Sequence, residues 1–341
     1  MSNKSITVAL DAMGGDKAPK IVLQGAEIAR KRYPDMKFII YGDLSKIRPH
    51  LDKRRQLAEI STLVHTDVKV SGEEKPSNAL RGPLKQSSMR LAVEAVKNGD
   101  AHCVVSAGNT GALMALSKIL YRMVPGIDRP AISSFFPTLR GESVMLDLGA
   151  NIQCDSDNLV QFAVMGNVFA RIALGANHPT IGLLNVGTED QKGHEELQDA
   201  HLRLSDANIP GKYVGFIEGD HIAAGKVDVV VTDGFTGNIA LKTAEGTANL
   251  TTEFLKRTFR SSIFAQIGYL LAARSMRKLK HRLDPRKYNG AIFLGMNGIT
   301  VKSHGGTDGF GFANAIGVAH DMVRADVIEK IKTDLAAVES F

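Results

Sequence analysis

The sequence contains no tryptophan and only two cysteines, Cys103 and Cys154, among its 341 residues. Two cysteines are too few for a disulfide framework or for a metal site built from several thiolates. No repeat period, low-complexity tract or Pro- or Ser-rich linker marks a domain boundary. With 44% apolar and 23% charged residues, the chain is large enough to bury a full core. We expect one domain over residues 1–341, or two unequal lobes.

Long hydrophobic runs are also missing. No stretch of about 18 apolar residues predicts a spanning helix. The first residues lack the charged-then-apolar pattern of a signal peptide. A cytoplasmic location is therefore expected.

Several catalytic and nucleotide-binding motifs are absent. No Gly-Lys-Ser/Thr triplet follows a glycine loop, and no Gly-x-Gly-x-x-Gly opens a helix with an acid about 20 residues later. No Gly-x-Ser-x-Gly elbow is present either. The sequence therefore predicts neither a dinucleotide cofactor nor a serine nucleophile, and we expect no cofactor.

The positive charge is concentrated in one segment. The chain has 42 lysines and arginines against 36 acids, a net charge of +6. Ten of those basic residues and one acid, Asp284, fall between Lys256 and Lys287, so this segment carries +9 and the rest of the chain −3. A nucleic-acid surface would need basic residues interleaved with aromatics across a face or groove. No nucleic-acid partner is expected.

Short apolar runs alternate with helical patterns along almost the whole chain. Strands are predicted at 5–10, 37–41, 103–106, 144–148, 181–186, 214–218, 227–232 and 291–294, and helices around 21–29 and at 88–97, 110–123, 159–174, 195–205, 238–259 and 313–335. This alternation is typical of βαβ units and a largely parallel sheet. Strands that are almost entirely apolar indicate helices on both faces of the sheet. The predicted fold class is therefore a three-layer α/β fold with a mostly parallel sheet.

Glycine-rich polar turns follow nearly every predicted strand. They are Leu10–Asp16, Ser106–Gly111, Leu146–Asn151, Asn185–Asp190, Glu218–Asp220 and Thr232–Asn238. In open α/β sheets the carboxyl ends of the strands border the ligand crevice, and a following helix N-terminus offers free N–H groups to an anion. One such turn could be ordinary turn chemistry. Six in one chain favour an anion or phosphate site.

Six segments also carry a resemblance to a known family. They are Val8–Asp16, Ser106–Met114, Leu146–Asn151, Leu184–Asp190 with Lys192-Gly193, Val227–Asn238 and His304–Asp308. Together they resemble the bacterial phosphate acyltransferases of phospholipid synthesis, which make acyl phosphate from acyl carrier protein. The resemblance covers nearly the whole chain, although the glycines around His304 and Asp308 depart from the family's pattern.

The resemblance implies a fold similar to that of phosphotransacetylases and of the isocitrate and isopropylmalate dehydrogenases. It further implies a homodimer that associates peripherally with the inner face of the cell membrane. The implied acyl donor is acyl carrier protein, and the implied acceptor is inorganic phosphate. The downstream glycerol-3-phosphate acyltransferase is an implied partner.

Transfer of an acyl group from a thioester to phosphate requires a held phosphate and a stabilised oxyanion, but no enzyme nucleophile. Lys192, in a glycine-flanked loop after a buried strand, is the first catalytic candidate, followed by Asn238 and Asp233. The predicted phosphate-binding residues all lie in the turns after strands; they are Asp11, Gly14, Gly15, Asp16, Ser106, Gly108, Asn109, Thr110, Asn151, Thr188 and Gly237.

Structural roles compete with these assignments. Lys192 could be a solvated surface lysine, and Asn238 could cap a helix that begins after Gly237. Asp233 could orient Asn238 or Lys192, or form a cap or turn. The Asp11 and Asp16 pair could hold a metal or restrain a loop, and we assign no metal.

Histidines and cysteines offer further candidates. His194, His221 and His304 could act as acids, although a lone loop histidine usually has no catalytic role. Cys103 falls inside a predicted strand, where a buried small hydrophobe is expected. Cys154 lies near a helix start, so a reactive thiol is the alternative reading there.

The basic segment at about 256–287 also has apolar residues at helical spacing. Ile267, Leu270 and Leu271 are followed by Arg277, Lys278 and Lys280. This pattern could be a helical hairpin packed on its own domain, with a solvated basic face. It could instead bind an anionic membrane surface or the acidic acyl carrier protein. The family's peripheral membrane role favours lipid.

Two other classes of function compete with acyl transfer. An NAD(P)-dependent decarboxylating dehydrogenase of related fold would need metal-binding aspartates on a helix and an arginine cluster, which the sequence does not offer. A non-catalytic scaffold that recruits carrier protein to the membrane would not need so many Gly-, Asn- and Asp-rich loops. We therefore expect an acyltransferase.

Overall fold

The computed structural model describes residues 5–338, so the first four and last three residues of the predicted domain lie outside it. Eleven strands are present within that range: β1 (Ile6–Asp11), β2 (Met36–Gly42), β3 (Ser61–His65), β4 (Cys103–Ser106), β5 (Ala131–Thr138), β6 (Gly141–Leu146), β7 (Thr180–Leu184), β8 (Lys212–Ile217), β9 (Val229–Val231), β10 (Ala291–Leu294) and β11 (Ile299–Lys302). The α-helices of the same range are α1 (Lys20–Arg32), α2 (Leu44–Leu51), α3 (Arg55–Glu59), α4 (Ser88–Lys97), α5 (Thr110–Tyr121), α6 (Ser156–Ala173), α7 (Glu195–Asp206), α8 (Gly219–Ala224), α9 (Gly234–Arg260), α10 (Ile263–Arg282), α11 (Gly309–Arg324) and α12 (Val327–Val338).

All these strands form one sheet in the order β3-β2-β1-β4-β11-β10-β5-β6-β9-β7-β8. Within the described chain seven strand pairs are parallel and three are antiparallel, the latter being β11–β10, β10–β5 and β5–β6. The predicted α/β class with a mostly parallel sheet is confirmed. The choice between one domain and two lobes stays a prediction.

The antiparallel β5–β6 pair reverses the direction of half the sheet. Strands β1, β2, β3, β4 and β11 run one way, whereas β6, β9, β7 and β8 run the other. The carboxyl ends of the first group therefore lie on the edge that carries the amino ends of the second. The glycine-rich loops after these strands therefore lie along two opposite edges of the sheet.

Alternating strand residues face two different helical layers. Val8 and Leu10 belong to the core formed with α1, α6, α11 and α12, whereas Ala9 belongs to the core formed with α4 and α5. Val229 and Val231 alternate with Val230 in the same way. Because both faces are covered, these strands are apolar at nearly every position. The predicted three-layer arrangement is confirmed.

Some elements differ from the predictions for local reasons. Strands β3, β5 and β11 were not predicted, because none is a continuous apolar run: β3 is only half-buried, and β5 carries Ser133, Ser134 and Pro137. The helix predicted over 313–335 is two helices, since Asp326 has φ 53° between α11 and α12. Helix α9 begins at Gly234 and not at Asn238, because Asp233 is its N-cap.

Helices α9 and α10 form a hairpin that projects from the sheet. Only Gly234 and Gly237 are buried among the residues of α9, and α10, which lies wholly inside the described range, has no buried residue. The predicted helical hairpin is present. Ala240, Leu241 and Ala244 of α9 pack against the core of the same chain, whereas the apolar side chains of α10 do not. No helix among residues 5–338 is both long and apolar enough to cross a bilayer.

Candidate active site

Asp147 organises one cluster of loops at the carboxyl ends of β6, β9 and β7. We define this Asp147 cluster as residues 147–151, 185–193 and 232–238. The Asp147 carboxylate accepts hydrogen bonds from the backbone N–H groups of Ile132 (3.0 Å), Gly149 (3.2 Å), Ala150 (3.0 Å) and Asn151 (2.8 Å) and from Nδ2 of Asn151 (2.8 Å). Burial raises its pKa, and these hydrogen bonds oppose that shift. The carboxylate therefore fixes the loop that follows β6.

Two glycines let α9 start directly against this loop. A Cβ on Gly237 would lie 1.9 Å from the carbonyl oxygen of Asp147, and one on Gly234 would lie 2.6 Å from the carbonyl oxygen of Asn151. Either contact would force the backbones apart. Only glycine at these positions lets the first turn of α9 approach the Asp147 loop so closely.

The catalytic candidates Asn238 and Asp233 lie in this first turn. Asp233 caps α9 by accepting a hydrogen bond from Thr236 N (2.8 Å), which is the capping role that competed with catalysis. Asn238 is exposed and adjoins Gly149, where a Cβ would lie 3.6–3.8 Å from its side-chain atoms. The Asn238 amide has no hydrogen-bond partner among residues 5–338, so it is available to a ligand.

Lys192 lies in the loop after β7, beside β9 in the sheet. Its loop is shaped by Asn185, whose Nδ2 donates to the carbonyl oxygen of Lys192 (3.1 Å) and whose Oδ1 accepts from Val186 N (2.8 Å). Gly193 has φ +86°, and a Cβ there would meet Asn185 Oδ1 at 2.6 Å. The Lys192 side chain is exposed and has no ion pair within the described part of the chain. Its ammonium is thus free of ion pairs within residues 5–338, in a loop that follows the strand next to β9.

The remaining predicted members of the Asp147 cluster have different surroundings. Asn151 is buried, and its Nδ2 donates to Pro130 O (2.8 Å) as well as to Asp147. Thr188 is exposed in the Lys192 loop. Asn151 therefore supports the backbone, whereas Thr188 can meet a ligand.

The thiol of Cys154 is close to this cluster but is poorly suited to nucleophilic attack. Burial, with the negative charges of Asp147 and Asp233, raises its pKa to about 12. Cys103 is fully buried in β4, and burial raises its pKa too. Because the thiolate is the nucleophile, neither cysteine is activated for covalent catalysis.

A second cluster lies at the carboxyl ends of β1, β4 and β11. We define this Lys302 cluster as residues 11–16, 106–110 and 302–307. Its buried carboxylate, Asp11, accepts from Ser88 Oγ (2.6 Å), Ser106 Oγ (2.7 Å) and Met13 N (3.1 Å). Lys302 Nζ donates to the carbonyl oxygens of Ala107 and Ser303. These contacts join the three loops.

The predicted phosphate-binding residues Asp11, Gly14, Gly15, Asp16, Ser106, Gly108, Asn109 and Thr110 all belong to this second cluster. Gly14 packs so tightly that a Cβ would lie 2.6 Å from both Asp11 Oδ2 and Gly108 N. Asn109 caps α5, and its Nδ2 donates to Gly72 O (2.8 Å) and Glu74 O (3.0 Å). Asp16 and Thr110 are exposed. The structure thus gathers these residues, but separately from Lys192 and Asn238.

The three candidate histidines are not brought together. His194 is exposed and pairs with Glu196 (2.8 Å). His221 accepts from Glu218 N (3.3 Å) in a capping box of α8, and His304 accepts from Gly306 N (3.1 Å) in the Lys302 cluster. None of these contacts aligns a histidine with Lys192 or Asn238.

Asp147 and Lys302 are the two central residues that the sequence analysis did not select. Asp147 lies in the segment Leu146–Asn151, from which only Asn151 was selected as a site residue. Lys302 ends β11, a strand that was not predicted. The sequence does contain a signal for Lys302. This lysine directly follows the apolar run Ile299-Thr-Val and precedes Ser-His-Gly-Gly.

Lys302 should make stability depend on pH in the alkaline range. Burial lowers its pKa from 10.5 to about 8, although Asp11 and Asp16 oppose that shift. The unfolded chain therefore holds this proton to higher pH, and stability should rise between about pH 8 and 10.5 by roughly 3 kcal/mol. Urea unfolding of wild type and Lys302→Met across this range should show the rise in wild type alone. Parallel pH profiles for the two proteins would contradict a buried, titrating Lys302.

Comparisons with known proteins agree on one family. Residues 6–330 match the family model described as "Fatty acid synthesis protein". The phosphate acyltransferase of Rhodospirillum centenum is 62% identical over 333 residues, which cover 98% of this chain and 94% of that protein. The phosphate acyltransferase of Rhodospirillum rubrum is 53% identical, with coverages of 99% and 97%.

Solved structures confirm the fold. The EutD phosphotransacetylase from Staphylococcus aureus superposes with a TM-score of 0.60 at 16% identity, covering 94% of this chain and 95% of that one. A phosphotransacetylase from Streptococcus pyogenes gives 0.58 at 16% identity, covering 96% and 94%. The dehydrogenase and non-catalytic scaffold alternatives are set aside by the identities to the phosphate acyltransferases. This chain belongs to the phosphate acyltransferase family of fatty acid and phospholipid synthesis.

Proposed function

We propose that this enzyme transfers a fatty acyl group from the thioester of an acyl carrier protein to inorganic phosphate, forming an acyl phosphate. The observation that carries the proposal is the presence of a free ammonium and a free amide after two neighbouring strands of the sheet. Lys192 and Asn238 follow neighbouring strands, β7 and β9, and both side chains are exposed. Asn238 also adjoins Gly149, in the loop that Asp147 holds. A cation and an amide donor fit a phosphate and a developing oxyanion.

The proposed reaction is direct attack. A phosphate oxygen adds to the thioester carbonyl carbon, and the carbonyl oxygen becomes an oxyanion that Asn238 and Lys192 stabilise. The C–S bond then breaks, and the thiolate of the carrier protein leaves and takes a proton from solvent. The raised thiol pKa of Cys154 supports direct transfer over an acyl-enzyme.

We place the phosphate at the Asp147 cluster. The Lys302 ammonium already donates to two carbonyl oxygens and is next to Asp11 and Asp16, whereas Lys192 has no competing partner in the described range. The carboxylates of Asp11 and Asp16 would also repel phosphate. Thr188 supplies a further exposed hydroxyl in the same loop as Lys192, whereas the Gly237 N–H already donates to the carbonyl oxygen of Asp233 (2.9 Å). Phosphate binding by the Lys302 cluster stays a prediction.

We also propose that the α9–α10 hairpin attaches the enzyme to the inner face of the membrane. Leu270 and Leu271 are 72% and 85% exposed. On the same helix, Arg274, Arg277, Lys278 and His281 line a shallow concave surface. Exposed apolar residues combined with cations are what reversible binding to anionic lipid requires. The homodimer, the approach of acidic carrier protein to this basic surface, and contact with a downstream glycerol-3-phosphate acyltransferase remain parts of this proposal.

The activity is tested by incubating the pure protein with acyl-carrier-protein thioester and labelled phosphate. We expect labelled acyl phosphate and release of free carrier-protein thiol in equal amounts. Cys103→Ala and Cys154→Ala should each retain most of the activity, because neither thiol is activated. Label that fails to enter an acyl phosphate would refute the proposed function. An acylated enzyme trapped without phosphate would refute direct transfer only.

A further inference from the structure

Four large apolar side chains in the same loops and helix turn as the proposed catalytic groups are exposed. Ile152, Val186, Phe235 and Ile239 are 75%, 82%, 59% and 48% exposed. We call these four residues the apolar rim. Ile152 follows the Asp147-bound Asn151, Val186 precedes the Lys192 loop, and the other two lie on the first turns of α9.

The rim is held by backbone contacts of the Asp147 cluster. Val186 N donates to Asn185 Oδ1 (2.8 Å), and Gly234 N, directly before Phe235, donates to Asn151 O (2.7 Å). Phe235 and Ile239 are four residues apart, so they share one face of α9, and Asn238 lies beside them. Fixed loops thus hold apolar side chains in water next to a cation and an amide.

We propose that the apolar rim binds the first part of the fatty acyl chain of the donor. This inference rests on the proposed function. A thioester carbonyl at Lys192 and Asn238 must direct its chain across the adjoining surface, and the rim is an apolar surface that begins there. Burying rim side chains and chain methylenes together removes apolar area from water on both sides.

The direction of α9 supports this occupant. From Phe235 the same helix face continues through Ile239, the exposed Lys242 and Gly246 to Leu250, which is 54% exposed. That path spans about 22 Å at 1.5 Å per residue. It leads along the hairpin, where Phe254 is 57% exposed. The rim is therefore the inner end of a row of exposed apolar residues along α9, which only the Lys242 side chain interrupts between Phe235 and Leu250.

The test compares chain lengths in the double variant Phe235→Ala/Ile239→Ala. Alanine preserves the helix, and both sites are exposed, so the fold should persist. KM for hexadecanoyl-carrier protein should rise about tenfold or more, since a buried methylene contributes roughly a factor of four. KM for acetyl-carrier protein, which has no methylene to place on the rim, should change less than about twofold. Leu202→Ala, which truncates a 65% exposed leucine on α7, is the matched control and should match wild type on both substrates.

Each other outcome overturns the proposal in a recognisable way. An equal rise of KM for both substrates, or no rise for either, would refute the rim as a chain-binding site. The proposed function would still stand in that case if the wild type turns over the donors. A change of oligomeric state in the double variant, measured by light scattering, would assign the rim to a second copy of the chain. A wild type inactive with both donors would overturn the proposed function, and the chain-binding site with it.

Discussion

Replacing Lys192 with alanine is expected to lower turnover roughly tenfold or more and to raise the apparent KM for phosphate. The ammonium is free in the described structure and lies on an exposed loop, so its loss removes a charge-assisted contact worth about 1.5–3 kcal/mol. Steady-state kinetics with varied phosphate would measure both effects. The fold should be unaffected, because no ion pair of Lys192 within residues 5–338 is lost.

A matched control separates this role from a general loss of surface charge. Lys226 is an exposed lysine in the loop between α8 and β9. It lies at the amino end of β9, whereas Lys192 follows the carboxyl end of the neighbouring parallel strand β7. Lys226→Ala should behave as wild type. Unchanged kinetics in Lys192→Ala would remove Lys192 from the mechanism. A larger rise of the phosphate KM in Lys302→Met than in Lys192→Ala would move the phosphate to the Lys302 cluster.

Replacing Leu270 and Leu271 with glutamate is expected to abolish sedimentation with anionic vesicles. The two side chains are among the most exposed apolar groups of the chain. Burial in the bilayer interface contributes roughly 25 cal/mol per Å², and each nearby lysine or arginine adds about 1 kcal/mol on an anionic surface. Both contributions are lost or opposed when carboxylates replace the leucines.

Controls can distinguish loss of leucine insertion into the bilayer interface from a general effect of the added negative charge. Ile119→Glu/Leu202→Glu adds the same charge at exposed apolar sites outside the hairpin and should still sediment. Reversing Arg277, Lys278 and Lys280 to glutamate should weaken binding, and added salt should weaken wild-type binding. The same charge reversal should also raise KM for carrier protein if carrier protein binds the same basic residues as the membrane does. Undiminished sedimentation of the Leu270/Leu271 variant would refute the hairpin as the membrane contact.

The sequence determined most helices and the interior strands. Thr110–Tyr121 and Ser88–Lys97 were predicted closely, because an N-cap and a periodic apolar face are local features. Strand β9 was recognisable because a run of valines is buried on both faces. Strand β5 was missed, since its serines and proline are tolerated only through pairing with β6 and β10.

The sequence also indicated the candidate catalytic groups but not their grouping. Glycines and polar residues after strands are visible in the sequence, so Lys192, Asn238 and Asp11 could all be selected. Which strands run in which direction depends on the antiparallel β5–β6 pair, a tertiary feature. That pair assigns Asp11 and Asn109 to one cluster and Lys192 and Asn238 to the other.

Tertiary structure alone decided what each polar side chain is free to do. Asp11 and Asp147 are both buried, but Asp11 accepts from Ser88 and Ser106 of distant segments. Asp147 accepts from Ile132 of β5 as well as from the loop that directly follows it. Asp233 caps α9, whereas the side-chain amide of Asn238, five residues later, has no hydrogen-bond partner within residues 5–338. Local sequence therefore determined the helices, strands and turns of this protein. Long-range hydrogen bonding and burial determined which of its polar groups remain available, because a side chain's partners are set by neighbours in space.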